Sequence, residues 1–145
     1  MSADYPGRTY RFFTGPPVYE FGQGMSYTSW AFAWAAPPSP AQQTASTAAT
    51  TMSVKVSNTG SRDGDQAVLV YAVPPGAGVN GAPLKYLVAF DRVSVAAGAS
   101  TTVSFTVPAD KLLLTDAEGK KVYTTGKWTF FVDTASTLSG SVTLQ

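Results

Sequence analysis

The sequence predicts an all-β fold, an antiparallel β-sandwich of short strands. The first observation is a regular alternation in which Met52, Val54 and Val56 are apolar and the residues between them are polar. This pattern is typical of a strand with one face in water. The second is a continuous apolar run over residues 67–73, which favours a strand covered on both faces. The third is the polar, glycine-rich segment over residues 58–65 that connects the two.

The connecting segment has the chemistry of a tight turn. Asn58 and Gly60 tolerate the left-handed backbone conformation that such a turn requires, and Asp63 followed by Gly64 repeats the combination. The sequence therefore predicts a strand, a turn-rich connection and a second strand as the unit around which the other strands are added.

The first 25 residues combine many aromatic residues with many glycines and prolines. This density of helix breakers excludes a long helix, and the aromatic content is too high for a free tail. We therefore predict an extended arm over residues 1–25 that lies on a surface, with a candidate short strand at residues 8–13. Aromatic residues that the sandwich leaves uncovered would mark a contact with a neighbouring domain or another protein chain. The residues predicted to make this contact are Tyr10, Phe12, Phe13, Tyr19 and Phe21.

The first strand of the sandwich is predicted at residues 26–34. Trp30, Phe32 and Trp34 share one face of it. They suit either the core or a platform on which sugar rings stack, and aromatic residues at this spacing favour the core. The next stretch is rich in proline and then in small polar residues, so residues 35–49 are predicted as a flexible loop insertion.

The remainder predicts further short strands separated by turns. Residues 84–95 are extended, with Tyr86, Val88 and Phe90 on one face, and a helical turn is capped near Asp110. About seven or eight short strands with turns between them are typical of an immunoglobulin or fibronectin type III-like sandwich, here predicted over residues 26–145. The other predicted elements are turns at 96–99 and 117–119 and strands at 101–107, 120–123, 127–132 and through Leu138, Val142 and Leu144.

The composition excludes several classes of function. The 145 residues carry a net charge of +1, and only 13% of them are charged, so no strong field attracts nucleic acid or an anionic membrane. The absence of cysteine and histidine excludes disulfides, imidazole bases and most transition-metal sites. No apolar run reaches membrane-spanning length, and residues 1–6 lack the pattern of a signal peptide. We therefore expect no cofactor, and either a chain that is not secreted by itself or a piece of something longer.

The acidic residues give no catalytic arrangement. Asp63 and Asp65 have a spacing that could reach one cation, but this spacing is common in loops and favours turn chemistry. Asp4 and Glu20 lie at the borders of the arm and have no partner base in the sequence. We predict no catalytic, cofactor-binding or metal-binding residue.

Two stretches of the arm resemble the C-terminal part of glycoside hydrolase family 3, which contains β-glucosidases and β-xylosidases. They are the segment GRTYRFFTG at residues 7–15 and the segment VYEFGQGMSYT at residues 18–28. In the family this pair of motifs leads into a fibronectin type III-like domain. Further motifs that resemble this domain are Asn58-Thr59-Gly60, Asp63-Gly64-Asp65, Val70-Tyr71, Leu84-Lys85, Phe90-Asp91-Arg92-Val93, Ala97-Gly98, Asp116, Gly119 and Gly126-Lys127-Trp128-Thr129.

The resemblance implies a non-catalytic module that buttresses catalytic domains. Family members cleave glycosides with two carboxylates that lie in other domains, and their arm lies along the neighbouring domain. Such a parent would be a β-xylosidase or β-glucosidase and extracellular or in the cell wall. The alternative is a free-standing subunit of a larger assembly that binds another protein through the arm, or a module that binds a polysaccharide surface.

Overall fold

The structure, a computed structural model, describes residues 7–40, 49–133 and 138–145. Within these ranges the chain forms an antiparallel all-β architecture with two short helical turns, which confirms the predicted fold class. In chain order the elements are α1 (Thr9–Phe12), β1 (Trp30–Pro40), β2 (Thr50–Asn58), β3 (Gly64–Val73), β4 (Tyr86–Val95), β5 (Ser100–Val107), a 3-10 helix (Ala109–Leu112), β6 (Leu113–Thr115), β7 (Lys121–Tyr123), β8 (Gly126–Val132) and β9 (Ser139–Leu144).

The strands form two main sheets. One has three strands in the order β1-β2-β5, and the other has four in the order β4-β3-β8-β9, with antiparallel neighbours in both. The strands β6 and β7 pair in a separate ribbon. Because β2 and β3 lie in different sheets, the connection between them carries the chain from one layer of the sandwich to the other.

The core lies between the two sheets and has contributions from both. The apolar positions of β2 are buried, and the positions between them are exposed or half-buried, as the alternation predicts. β5 shows the same alternation. The largest fully buried side chain is that of Trp128 on β8, with Phe130 on the same strand. Burial of one such apolar side chain contributes about 1.5–3 kcal/mol, so this interior is the main source of stability.

Asn58 joins the two layers at the end of β2. Its side-chain amide donates hydrogen bonds to the carbonyls of Arg62 (2.7 Å) and Val95 (3.0 Å), and its carbonyl oxygen accepts from the Thr28 hydroxyl (2.6 Å). The prediction of a left-handed backbone in this connection is wrong, since neither Asn58 nor Gly60 has a positive φ. Gly60 is required by space instead, because a Cβ atom there would lie 2.2 Å from the Thr28 hydroxyl oxygen.

The first strand begins and ends later than predicted. β1 starts at Trp30 rather than at residue 26, and it continues to Pro40. The prediction of a flexible loop is therefore wrong for residues 35–40, whereas residues 41–48 lie outside the described residues. Prolines are tolerated because β1 is at the edge of its sheet and its pairing with β2 contains two register shifts.

Two local predictions near helical turns are also wrong. Residues 8–13 contain the helical turn α1 instead of a short strand. The predicted helical turn after β5 is present as a 3-10 helix, but it is preceded by Pro108 and has no side-chain cap, so Asp110 does not cap it. No helix in the described ranges has the length and apolar character needed to cross a membrane.

A β-bulge in β4 reverses the predicted orientation of Phe90. Consecutive residues of β3 pair with Ala89 and Leu87, which leaves Val88 without a partner and shifts the alternation by one residue. Tyr86 and Val88 both pack against the core, and Ala89 packs there as well. Phe90 was predicted on their face but is 72% exposed on the outside of the sheet.

Candidate docking surface

The arm returns onto the outer face of the four-stranded sheet, where it is anchored to Tyr71. This tyrosine lies on the central strand β3 between the core residues Val70 and Ala72 and is 1% exposed. The rings of Tyr10 and Phe21 stack at 4.0 Å, and both meet the Tyr71 ring edge-on, at 6.0 and 6.4 Å. Edge-to-face pairs at these distances are favourable because the positive ring edge meets the negative ring face.

Hydrogen bonds fix the same part of the arm to the sandwich. The Tyr71 hydroxyl donates to the carbonyl of Phe21 at 2.9 Å, and the backbone N–H of Leu87 donates to the Tyr10 hydroxyl at 3.0 Å. The N–H of Leu84 donates to the carbonyl of Arg11 at 2.7 Å. The arm therefore satisfies polar groups of β3, of β4 and of the loop before β4, which gives it a defined position.

Burial raises the pKa of Tyr71 to about 12, and the nearby Tyr10, Asp133 and Glu20 add to the rise. The ammonium group of Lys85 lies 5.6 Å from the centre of the Tyr71 ring, and it forms an ion pair with Glu20 at 3.4 Å. The neutral tyrosine is thus the form that this environment stabilises.

The arm and the residues that follow it also expose large apolar side chains, which we call the arm strip. A folded protein rarely leaves such side chains grouped in water unless they serve a contact. The arm strip consists of Val18 (91% exposed), Tyr19 (77%), Phe21 (46%), Met25 (104%) and Tyr27 (97%).

The helical turn α1 separates two grooves. The first, the aromatic groove, has a volume of about 530 Å³ and is lined by Thr9, Tyr10, Phe13, Gly15, Pro17, Tyr19, Glu20, Phe21, Leu84 and Lys85. The second, the arginine groove, has a volume of about 400 Å³. It is lined by Arg11 and Phe12 and by the loop before β4 (Pro75, Gly76, Val79, Asn80, Gly81, Ala82 and Pro83). The ribbon (Leu113, Leu114, Thr115 and Val122) and the following Thr124 complete the lining.

The five residues predicted to make the contact have different positions. Tyr10 and Phe21 meet at the anchor, and Tyr19 is exposed beside them. Phe12 and Phe13 are half-buried, and each lines a different groove. Their contact with a partner stays a prediction.

Sequence reasoning missed four residues of this surface. Val18, Met25 and Tyr27 belong to the arm strip, and Arg11 lines a groove. The signal for the first three was present, because large apolar residues next to glycines lack the periodicity of a buried strand.

The paired aspartates are engaged in separate local contacts. Asp63 accepts a hydrogen bond from the backbone N–H of Ala97 at 2.8 Å, whereas Asp65 accepts from Arg92 at 2.7 Å and from the Ser94 hydroxyl. These two donors, Ser94 first, hold the pKa of Asp65 below its usual range. Among the described residues no group of three or more potential metal ligands occurs.

The aromatic residues of β1 belong to the interior. Trp30, Phe32 and Trp34 are half-buried and pack against the core cluster. The indole N–H of Trp34 donates to the carbonyl of Ser139 at 3.0 Å, which ties β1 to the opposite sheet. The interpretation as core residues is confirmed.

Comparison with known proteins identifies relatives of this chain. Residues 66–136 match the family described as the fibronectin type III-like domain. The chain is 38% identical over 148 residues to β-D-xylosidase 1 of Arabidopsis thaliana, a match that covers 83% of this chain and 19% of that protein. It is 37% identical over 127 residues to a β-xylosidase of Formosa agariphila, covering 88% of this chain and 17% of the relative.

A solved structure shows the same fold. The crystal structure of a β-glucosidase from Listeria innocua in complex with glucose superposes with a TM-score of 0.72 at 25% identity, over 88% of this chain and 17% of that one. The chain spans about a fifth of the length of the curated relatives described above. In these relatives the matching module is one part of a longer glycosidase chain. The resemblance seen in the arm and loop motifs is thus confirmed, and the chain belongs to the fibronectin type III-like domains of glycoside hydrolase family 3.

Proposed function

We propose that this chain is a non-catalytic module of a family 3 glycosidase of the β-xylosidase or β-glucosidase type, and that it docks on the catalytic domains through its arm and buttresses them. The observation that carries the proposal is the arm strip. One side of the arm is fixed by ring contacts and hydrogen bonds, while Tyr19, Met25 and Tyr27 on the strip are exposed.

The energetics favour covering this strip. Full burial of one large apolar side chain contributes about 1.5–3 kcal/mol relative to leaving it in water. The arm is already ordered by its anchor, so docking would cost less conformational entropy than it would for a free tail. The relatives' chains are about five times longer, and that length could supply the covering surface.

The non-catalytic role is supported by the carboxylates. A retaining glycosidase needs two carboxyl groups about 5–5.5 Å apart on either side of the substrate bond. In this chain Asp63 and Asp65 make separate local hydrogen bonds, and Asp116 accepts from the N–H groups of Glu118 and Lys120. These are the contacts of turns and strand ends.

The test transplants the chain into the A. thaliana relative in place of the matching segment. We expect the thioether of Met25 and the rings of Tyr19 and Tyr27 to be oxidised at least about tenfold more slowly in the chimera than in the free 145-residue chain, because docking buries them. Met52, which is 2% exposed, reports folding and should react slowly in both proteins.

Equal oxidation of the arm strip in the chimera and in the free chain would contradict the proposal. If the free chain is retained on insoluble xylan and a Tyr19→Ala substitution abolishes this retention, the result would instead favour the polysaccharide-binding alternative. Turnover of an aryl glycoside by the purified chain alone would contradict a non-catalytic role.

A further inference from the structure

The two grooves beside α1 differ in charge. The aromatic groove contains Glu20 and Lys85, whose charged atoms lie 3.4 Å apart and compensate each other. Among the residues that the structure describes, Arg11 is the one charged residue that lines the arginine groove, and none of the acidic residues lines it. Across the described ranges, Arg11 has no carboxylate within ion-pair distance.

The guanidinium group of Arg11 is held in place by aromatic rings. It lies 5.8 Å from the centre of the Phe12 ring and 5.3 Å from that of Tyr86. Tyr86 is itself fixed, since its hydroxyl donates to the carbonyl of Lys111 at 2.8 Å. Cation–π contacts of this kind restrain a guanidinium group and do not use its N–H donors, which can then bind another partner.

The rim of the arginine groove is apolar and ordered. The loop before β4 is closed by backbone hydrogen bonds from Val79 to Gly76 and from Ala82 to Val79, both 3.0 Å long. Asn80 in this loop has a positive φ of 51°, a left-handed conformation that asparagine adopts more readily than most other residues. The loop presents Val79 at 59% exposure, and Val122 of the ribbon is 38% exposed on the same groove.

We propose that the arginine groove receives an aspartate or glutamate side chain of the neighbouring catalytic domain, with apolar atoms of that domain against Val79 and Val122. This inference rests on the proposed docking function and adds the chemistry of the partner surface. A planar guanidinium with free donors binds a carboxylate through two parallel hydrogen bonds. An arginine covered by a partner without such a group would be a buried, unpaired charge, which is strongly unfavourable.

Two observations favour a protein carboxylate over a small anion. The groove combines one fixed arginine with exposed valines, and arginine among apolar residues is typical of the energetically important centre of protein interfaces. Arg11 also belongs to the GRTYRFFTG segment, which resembles the family's lead-in from the preceding domain. The arm that carries the arginine is thus the segment expected to lie against that domain.

The first test measures the oxidation rate of Met25 in the chimera with the A. thaliana relative, because this rate follows the undocked fraction. Arg11→Gln should raise it at least about fivefold, with the rate of the free chain as the upper limit, since removal of one partner of a buried charge pair weakens an interface by about 30-fold or more. The control Lys55→Gln removes an exposed cation on β2 of the three-stranded sheet, away from the arm, and should change the rate less than about twofold. Added salt should raise the rate in the unsubstituted chimera more than in Arg11→Gln.

The second test identifies the partner atom. In the Arg11→Lys chimera a water-soluble carbodiimide should join the introduced amine to a carboxylate of the catalytic part, detected as a cross-linked peptide pair. A cross-link to an acidic residue of this chain, such as Asp4 outside the described residues, would overturn the inference. The inference would also be overturned if no such cross-link formed and the chain bound an acidic polysaccharide in a way that required Arg11.

The outcomes separate the inference from the proposed function. If Met25 is protected in the unsubstituted chimera and equally protected in Arg11→Gln, docking stands and the carboxylate contact is wrong. If Met25 is as reactive in the unsubstituted chimera as in the free chain, docking fails and the inference fails with it. The free Arg11→Gln chain must keep the thermal midpoint and the Met25 reactivity of the free unsubstituted chain, which excludes a local unfolding effect.

Discussion

The outer faces of the two sheets differ in how they meet their surroundings. On the three-stranded sheet, Ser53 pairs with Ser104 at 2.8 Å and Ser57 with Ser100 at 2.9 Å, and Lys55 lies exposed between them. These hydroxyl and ammonium groups are satisfied by one another and by water. This face therefore needs no cover, and the alternation of β2 specifies it completely.

The outer face of the four-stranded sheet depends on a distant segment of the chain. Tyr71 points outwards from a strand that is apolar almost throughout, and it is covered by Tyr10 and Phe21. The comparison shows that a sheet with an apolar outer face needs another segment of the protein to pack over it. Here the cover is the arm, which itself leaves large apolar side chains exposed.

The largest expected effect comes from removing the anchor of this cover. Tyr71→Ala should lower the free energy of unfolding by about 3–5 kcal/mol, because it leaves a cavity and deletes both ring contacts and a hydrogen bond. Urea denaturation measures the loss, and limited proteolysis should show faster cleavage within residues 14–25. A matched Lys55→Ala on the wet face should stay within about 0.5 kcal/mol. Similar losses from both substitutions would remove the distinction between the two faces.

A smaller effect is expected from alkaline pH. The pKa of Tyr71 rises from 10.0 to about 12 on folding, so its unfolded form loses the proton first as pH increases. The stability contributed by the neutral tyrosine is complete below pH 10 and is lost between pH 10 and pH 12, by about 2 kcal/mol.

Denaturation of the unsubstituted chain and of Tyr71→Phe at several pH values measures this effect. The phenylalanine variant loses the hydroxyl that donates to Phe21, at a cost of about 1 kcal/mol at neutral pH, and should show a flatter decline above pH 10. Burial also raises the pKa of Tyr86, so a residual decline is expected in the variant. Equal slopes in both proteins would show that the anchor does not bury the hydroxyl.

The smallest effect is expected on the wet face. Ser57→Ala removes one hydroxyl of a pair that solvent can replace, so the free energy of unfolding should change by less than about 0.5 kcal/mol. Urea midpoints of the two proteins measure this, with Ser53→Ala as a second example of the same arrangement. A loss above 1 kcal/mol would mean that these serine pairs stabilise the sheet in a way that water cannot replace.

The candidate site could be predicted only in part. The aromatic content of residues 1–25 identified the arm, because aromatic residues among glycines and prolines cannot form a core by themselves. The sequence did not indicate which residues of the arm face the sandwich, since Tyr10 and Phe21 are eleven positions apart and come together only when the arm folds onto Tyr71. Arg11 was missed because a single arginine carries no periodic signal.

The sequence by itself determined the strands whose side chains alternate, such as β2 and β5. Their apolar residues recur at every second position, and because exposing apolar surface to water is unfavourable, only one face of each strand can point to the core. Tertiary structure alone decided the remaining features. The bulge in β4 turned Phe90 outwards, the edge position of β1 admitted prolines, and Thr28 required a glycine at position 60. These outcomes depend on residues that are distant in the chain and adjacent in space, and a local pattern contains no information about such neighbours.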